Sequence, residues 1–282
     1  MISRRLKAFV PLLLLSSVTA MELSAQDRTS TQFERRSSGE SSVEATIRFG
    51  AGEFTLRPAS AGHLYRATLE YSEDQWEPIH SYVDGTLELG LRGRGGARTI
   101  RQGGETSLDL RLSRTVPLDL SLEIGAVRAS MELGGIALRS LELATGASET
   151  RIEVSEVNPV EMTDLSFKVG AASLRAEGIG RLNPQRVSVE GGVGEVRIGL
   201  EGLTRAETEV SASMGLGAFE ITVPRGVGVR LTRSGLLSTL HAPFLERRGD
   251  AHYSDDWDSS DRRVRISVES ALGSVRIVRS DG

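Results

Sequence analysis

Cysteine is absent from this 282-residue chain, so it has no disulfide framework and no thiolate nucleophile or ligand. Histidine is nearly absent. His63, His80, His241 and His252 stand alone, none with a His or Cys partner at metal-ligand spacing, so composition excludes a zinc-type centre. Lysine is reduced to Lys7 and Lys168, and arginine supplies nearly all the positive charge. The net charge is −4 with both signs interspersed, which lacks the basic stripe that nucleic-acid binding needs. Aromatic residues make up 5% of the chain. Beyond the first residues there is no apolar run long enough to span a bilayer, which takes about 20 residues.

Catalytic signatures are missing too. No serine sits in a Gly-x-Ser-x-Gly elbow. Gly178-Ile179-Gly180 and Gly192-Val193-Gly194 each lack the third glycine of a dinucleotide fingerprint, and no helical pattern follows either. No catalytic or cofactor-binding residue is expected.

The N-terminus has the layout of a secretory signal. Arg4, Arg5 and Lys7 precede an apolar stretch from Ala8 to Ala20, followed by small residues around Ala20 and Ala25. Residues 1–25 are expected to be a signal peptide, cleaved after Ala25 or after Ala20, which places the protein in the periplasm or outside the cell. Its removal would move the net charge to −6, since it carries three basic residues and one acidic residue. Residues 26–42 are polar and are expected to form a disordered lead-in.

From Val43 onward the dominant pattern is alternation. Val43, Ala45, Ile47 and Phe49 alternate with polar residues, as do Leu118, Leu120, Leu122 and Ile124. A glycine heads many of these runs: Gly52-Glu53-Phe54, Gly125-Ala126-Val127, Gly170-Ala171-Ala172, Gly194-Glu195-Val196, Gly217-Ala218-Phe219 and Gly273-Ser274-Val275. Marker glycines at 125, 146, 170, 194 and 217 are spaced by 21, 24, 24 and 23 residues, the period of a stacked repeat. The expected fold is all-β, a β-solenoid like a parallel β-helix with glycine corners. Residues 43–115 form a first set of strands. Residues 116–282 form the regular array, interrupted by a polar loop at 246–262.

Outward positions repeat as well. Arg151, Arg175 and Arg197 follow their glycines at equivalent places, flanked by glutamates, and are the candidate interaction residues together with Trp76 and Trp257, each expected in a loop. The acidic loop around Trp257 offers Asp255, Asp256 and Asp258 as the only candidates for a weak Ca²⁺ site. Its sixth and twelfth positions, Asp261 and Ser267, depart from the EF-hand pattern, so no metal centre is expected.

Two stretches carry a family resemblance. His63-Leu64-Tyr65-Arg66-Ala67-Thr68-Leu69-Glu70-Tyr71, with Glu77-Pro78 and Gly85-Thr86-Leu87-Glu88-Leu89, resembles the N-terminal toast-rack domain of bacterial envelope proteins. Gly215-Leu216-Gly217-Ala218-Phe219-Glu220-Ile221-Thr222-Val223-Pro224-Arg225-Gly226-Val227-Gly228-Val229 resembles the C-terminal domain of LiaF-type envelope-stress proteins. The resemblance implies a rack of stacked strands outside the cytoplasmic membrane, and in LiaF-type proteins it is tied to sensing through partner proteins. The transmembrane helices found there are missing here. Three functions compete: a non-enzymatic envelope protein with a protein partner, an adhesin or polysaccharide-binding solenoid, and a carbohydrate-active β-helix enzyme. The first is expected, with no nucleic-acid partner and no cofactor.

Overall fold

A computed structural model describes residues 28–94, 106–235 and 237–280. The expected signal peptide and its cleavage sites lie outside the described residues. Within them the chain is all-β, with one short 3₁₀ turn at Ile179–Leu182.

Six long strands form the spine: β2 (Val43–Pro58), β7 (Leu118–Glu132), β10 (Met162–Glu177), β11 (Pro184–Gly199), β12 (Glu207–Val223) and β17 (Arg263–Arg279). A seventh is split into β8 (Leu138–Thr145) and β9 (Glu149–Glu153). They pair in parallel in the order β2, β7, β8/β9, β10, β11, β12, β17. The β2–β7 ladder joins residues on both sides of the division expected near residue 115.

Each spine strand is bent at its middle, and burial shows how. In β12 the buried residues Val210, Ala212 and Met214 are even-numbered, and Phe219, Ile221 and Val223 are odd-numbered. β10 reverses this, from Leu165, Phe167 and Val169 to Ala172, Leu174 and Ala176. Side chains along a strand alternate between faces, so keeping one face inward through a bend takes a one-residue slip in phase. The two arms of every spine strand thereby turn their apolar faces into a single core.

Glycines occupy the bend in two columns. Gly125, Gly146, Gly170, Gly192 and Gly215 stack in one, each facing the carbonyl of its predecessor. Gly194, Gly217 and Gly273 stack in the other, paired in register with φ near 140°. The marker series expected from sequence therefore crosses from the first column to the second after Gly170. Beyond the arms, connectors are tied by asparagine. Buried Asn158 accepts from the Leu138 amide (3.1 Å) and donates to the carbonyls of Leu138 and Leu182 (2.7 and 3.4 Å).

The N-terminal end is closed by shorter strands. β5 (Thr86–Gly93) and β6 (Ser107–Leu112) pair in parallel with the two arms of β2. β4 (Trp76–Val83) pairs antiparallel with β5, and β3 (His63–Ser72) with β6. The expected disordered lead-in is instead largely a strand: β1 (Arg28–Arg36) runs antiparallel to β3 over its whole length. It is held by little apolar burial. Phe33 stacks on His80 with ring centres 4.1 Å apart, and Glu34 pairs with Arg66 at 2.7 Å. Glu40 anchors the following turn, accepting from the Ser38 amide (2.7 Å) and pairing with Arg35 (3.5 Å).

At the other end, β13 (Gly228–Ser234) and β14 (Leu237–His241) pair in parallel with the two arms of β17. β17 therefore lies between β12 and the segments that precede it in the chain. The expected loop at 246–262 contains strands: β15 (Leu245–Arg248) and β16 (Ala251–Ser254) form a hairpin through Gly249, and β16 extends the sheet beyond β13. The turn is set by Gly249, whose φ of 64° suits glycine.

Candidate functional site

The outward faces of the arms are charged columns, because parallel in-register pairing sets equivalent residues one above another about 4.8 Å apart. Arg151, Arg175 and Arg197 form one column on the second arm, continued by Glu220 and Arg276. Glu149, Ser173 and Glu195 run along one side of it, and Glu132, Glu153 and Glu177 along the other. Stacked guanidinium groups repel, and the flanking carboxylates offset that repulsion. Arg175 pairs with Glu177 and Arg197 with Glu195, both at 2.5 Å, and Arg276 pairs with Glu220 at 3.6 Å. Arg151 forms no ion pair among the described residues. Exposed pairs of this kind contribute only ~0–1 kcal/mol each, so the column adds little to stability.

At the far end of the arm the column opens into a groove of about 400 Å³, lined by Glu153, Arg175, Arg181, Arg197, Glu201 and Glu220 among others. Arg181 and Glu201 come from connectors and are fixed by backbone bonds. Arg181 Nη1 donates to the Val154 carbonyl (3.2 Å), and Glu201 accepts from the Gly178 amide (3.2 Å). The groove can pair with charged or hydrogen-bonding groups of either sign. None of the four histidines lines it.

The other candidates are scattered. Trp76 begins β4 and is 6% exposed, sealing the core beside Gly50, so the expected loop aromatic is a packing residue. Trp257 is half-buried on the far end of the first arm, edge-on to Tyr253 at 5.7 Å, with Arg265 and Arg263 at 5.3 and 5.7 Å from its ring. Asp255, Asp256 and Asp258 are not gathered into a ligand set. Both Asp256 oxygens accept from Arg279 (2.9 and 3.1 Å) and Asp258 pairs with Arg248 (3.3 Å). Among the described residues no group of three His, Cys, Asp or Glu side chains could hold a metal ion.

A second groove, of about 500 Å³, runs over the outside of the first arm. Its floor is a column of hydroxyls, Ser188, Ser211, Ser267 and Thr232, set in register. Beside them Asp164, Arg186, Glu209 and Arg265 alternate in charge, followed by a second arginine, Arg230, with Tyr253 next in line. Arg186 grips both oxygens of Asp164 at 2.7 and 2.9 Å and holds that carboxyl below its ordinary pKa. Sequence alternation marked these residues as outward-facing but gave no sign that four hydroxyls and five charges would align.

No helix among the described residues is long and apolar enough to cross a membrane. No curated protein matches the chain in sequence. Several solved structures resemble it weakly, and two of them illustrate the likeness. One is a candidate cell adhesion protein from Clostridium sporogenes: 14% identity, covering 90% of this chain and 100% of that one, TM-score 0.47. The other is a candidate adhesin from Bacteroides fragilis: 8% identity, covering 90% and 98%, TM-score 0.44. A family model, the N-terminal domain of toast_rack (DUF2154), matches residues 23–177, from before β1 to the end of β10. The segment at 215–229 with its LiaF-type resemblance lies beyond that match. The chain belongs to the toast-rack family, a domain family of unknown function.

Proposed function

We propose that this protein is an exported, non-enzymatic component of the cell envelope, whose bent strands act as rungs of a β-solenoid and present a periodic charged surface to an envelope protein partner. The observation that carries the reading is the in-register column Arg151–Arg175–Arg197, flanked by Glu149, Ser173 and Glu195 on one side and by Glu153 and Glu177 on the other. Such a surface gains little stability from its own ion pairs, yet offers a partner an arginine with at least one neighbouring glutamate at each of three successive rungs. The reading includes no cation, since Asp256 is engaged by Arg279.

Crosslinked capture in the native host tests it. The wild type is expected to recover a reproducible envelope protein that the triple variant R151S/R175S/R197S loses. Equal recovery by both, or recovery of bulk envelope alone, would sink the proposal.

The hydroxyl-floored groove on the first arm supports a second reading, a polysaccharide-binding surface. Serine and threonine hydroxyls beside Arg–carboxylate pairs suit a neutral sugar chain lying across the strands. S211V/S267V would then weaken retention on a neutral glucan column, and unchanged retention would dismiss it.

A further inference from the structure

One column belongs to neither groove. At the outside of the bend, one residue from each spine strand, and one from β14 beside β17, points away from the core. Ala51, Ala126, Ala147 and Ala171 hold this place in the first half of the array; in the second half it passes to Val193, Leu216, Leu272 and Leu237. Ladder register joins Ala51 to Ala126, and runs unbroken from Ala171 through Val193, Leu216 and Leu272 to Leu237. Val193 and Leu216 each stand between two glycines, so no side chain next to them along the strand covers them. The four large residues are 44–72% exposed, and they are most of the exposed large hydrophobics among the described residues.

We propose that this ridge is a lipid-contacting edge, seating the protein on a zwitterionic leaflet. Three observations select that occupant. The ridge leaves on the order of 400 Å² of apolar surface in water, about half of what one side of a stable protein interface buries. It stands on the convex side of the bend, so a second copy would meet it along a line and could not enlarge the contact. A fluid leaflet closes around a convex apolar edge without a matching groove. The outward positions flanking it on the same strands are Glu190, Ser213 and Glu269 on one arm and Glu195, Ala218 and Ser274 on the other. Glu195 is paired with Arg197 and Glu190 stands in register with Lys168, so the edge carries no surplus of positive charge to draw it to an anionic leaflet, which leaves the zwitterionic one. The inference goes beyond the protein-partner reading and uses a different edge of the molecule.

Vesicle flotation of the full chain tests it, with the N-terminal segment common to every variant. Wild type is expected to float with phosphatidylcholine vesicles, and L216S/L272S/L237S to lose at least about tenfold in bound fraction, as the apolar area removed requires. Ala171→Leu lengthens the ridge by one strand without touching the core and should raise binding severalfold. Unchanged flotation of the triple variant, no gain with Ala171→Leu, or stronger binding to phosphatidylglycerol than to phosphatidylcholine would each overturn the proposal. So would a wild-type dimer in sedimentation that the triple variant abolishes.

Discussion

Replacing Gly217 by alanine probes the bend most directly. Gly217 has a φ of 140°, and a Cβ built there overlaps the carbonyl oxygen of Gly194. The backbone strain alone costs about 1–3 kcal/mol. Relief by movement is blocked, because Gly217 is held in register with Gly194 on one side and Gly273 on the other. Shifting β12 would loosen ladder hydrogen bonds at roughly 1 kcal/mol each. A total of about 4 kcal/mol follows, in the range reserved for severe lesions. Gly146 sits in the other column. Its φ is not positive, and its built Cβ lies 3.3 Å from the Gly125 carbonyl, so Gly146→Ala should cost no more than ~1 kcal/mol, partly offset by the stiffer unfolded chain. Urea unfolding followed by far-UV circular dichroism gives both values from the midpoint shift at constant slope. If the two variants unfold within about 0.5 kcal/mol of each other, the two-column account of the bend is wrong.

Two further outcomes follow from the ends of the array. Hydrogen bonds from the Ser38 amide and neighbouring donors lower the Glu40 pKa from 4.5 to about 2, and burial lowers that of His80, which hydrogen-bonds Tyr65 at 2.8 Å. Both groups bind protons more readily when unfolded. Stability is therefore full above pH 6.5, falls first as unfolded His80 protonates, and falls again from about pH 4.5 toward 2 through Glu40, by ~1–2 kcal/mol after screening. In urea midpoints measured against pH, Glu40→Gln should flatten the second limb, and an identical acid limb would exclude that role. Arg279 bonds the carbonyls of Pro224 and Val227 (2.7 and 2.8 Å) besides Asp256, and covers the Phe244 ring at 4.4 Å. Arg279→Ala should cost about 2–3 kcal/mol, whereas Arg128→Ala, whose pair with Glu149 spans 3.8 Å in water, should stay within about 0.5; thermal melts showing equal losses would contradict the difference.

The alternation in runs such as Leu118 to Ile124 made the all-β class legible, and Arg151, Arg175 and Arg197 were legible as a set because their offsets follow the repeat. What stayed hidden depends on distant partners. β1 has Phe33 as its one large apolar residue, and its order comes from β3 and from the His80 ring. Trp76 follows Glu73-Asp74-Gln75, a stretch that reads as a loop, yet the ring is drawn into the core beside Gly50. Arg181 and Glu201 reach the groove from connectors, where no period marks them. Leu237 joins the ridge only because β14 returns to β17.

That return has a bearing on how the chain assembles. β17 occupies the slot between β12 and the pair β13/β14, although both are made before it. Assembly therefore cannot zip in the order of synthesis. As the chain emerges, β12 and β13/β14 wait with open edges until the last strand slides in between them, like a keystone. The acquisition of the native C-terminal half is then a late, concerted event. That interval is when the unpaired edges are exposed to mispairing.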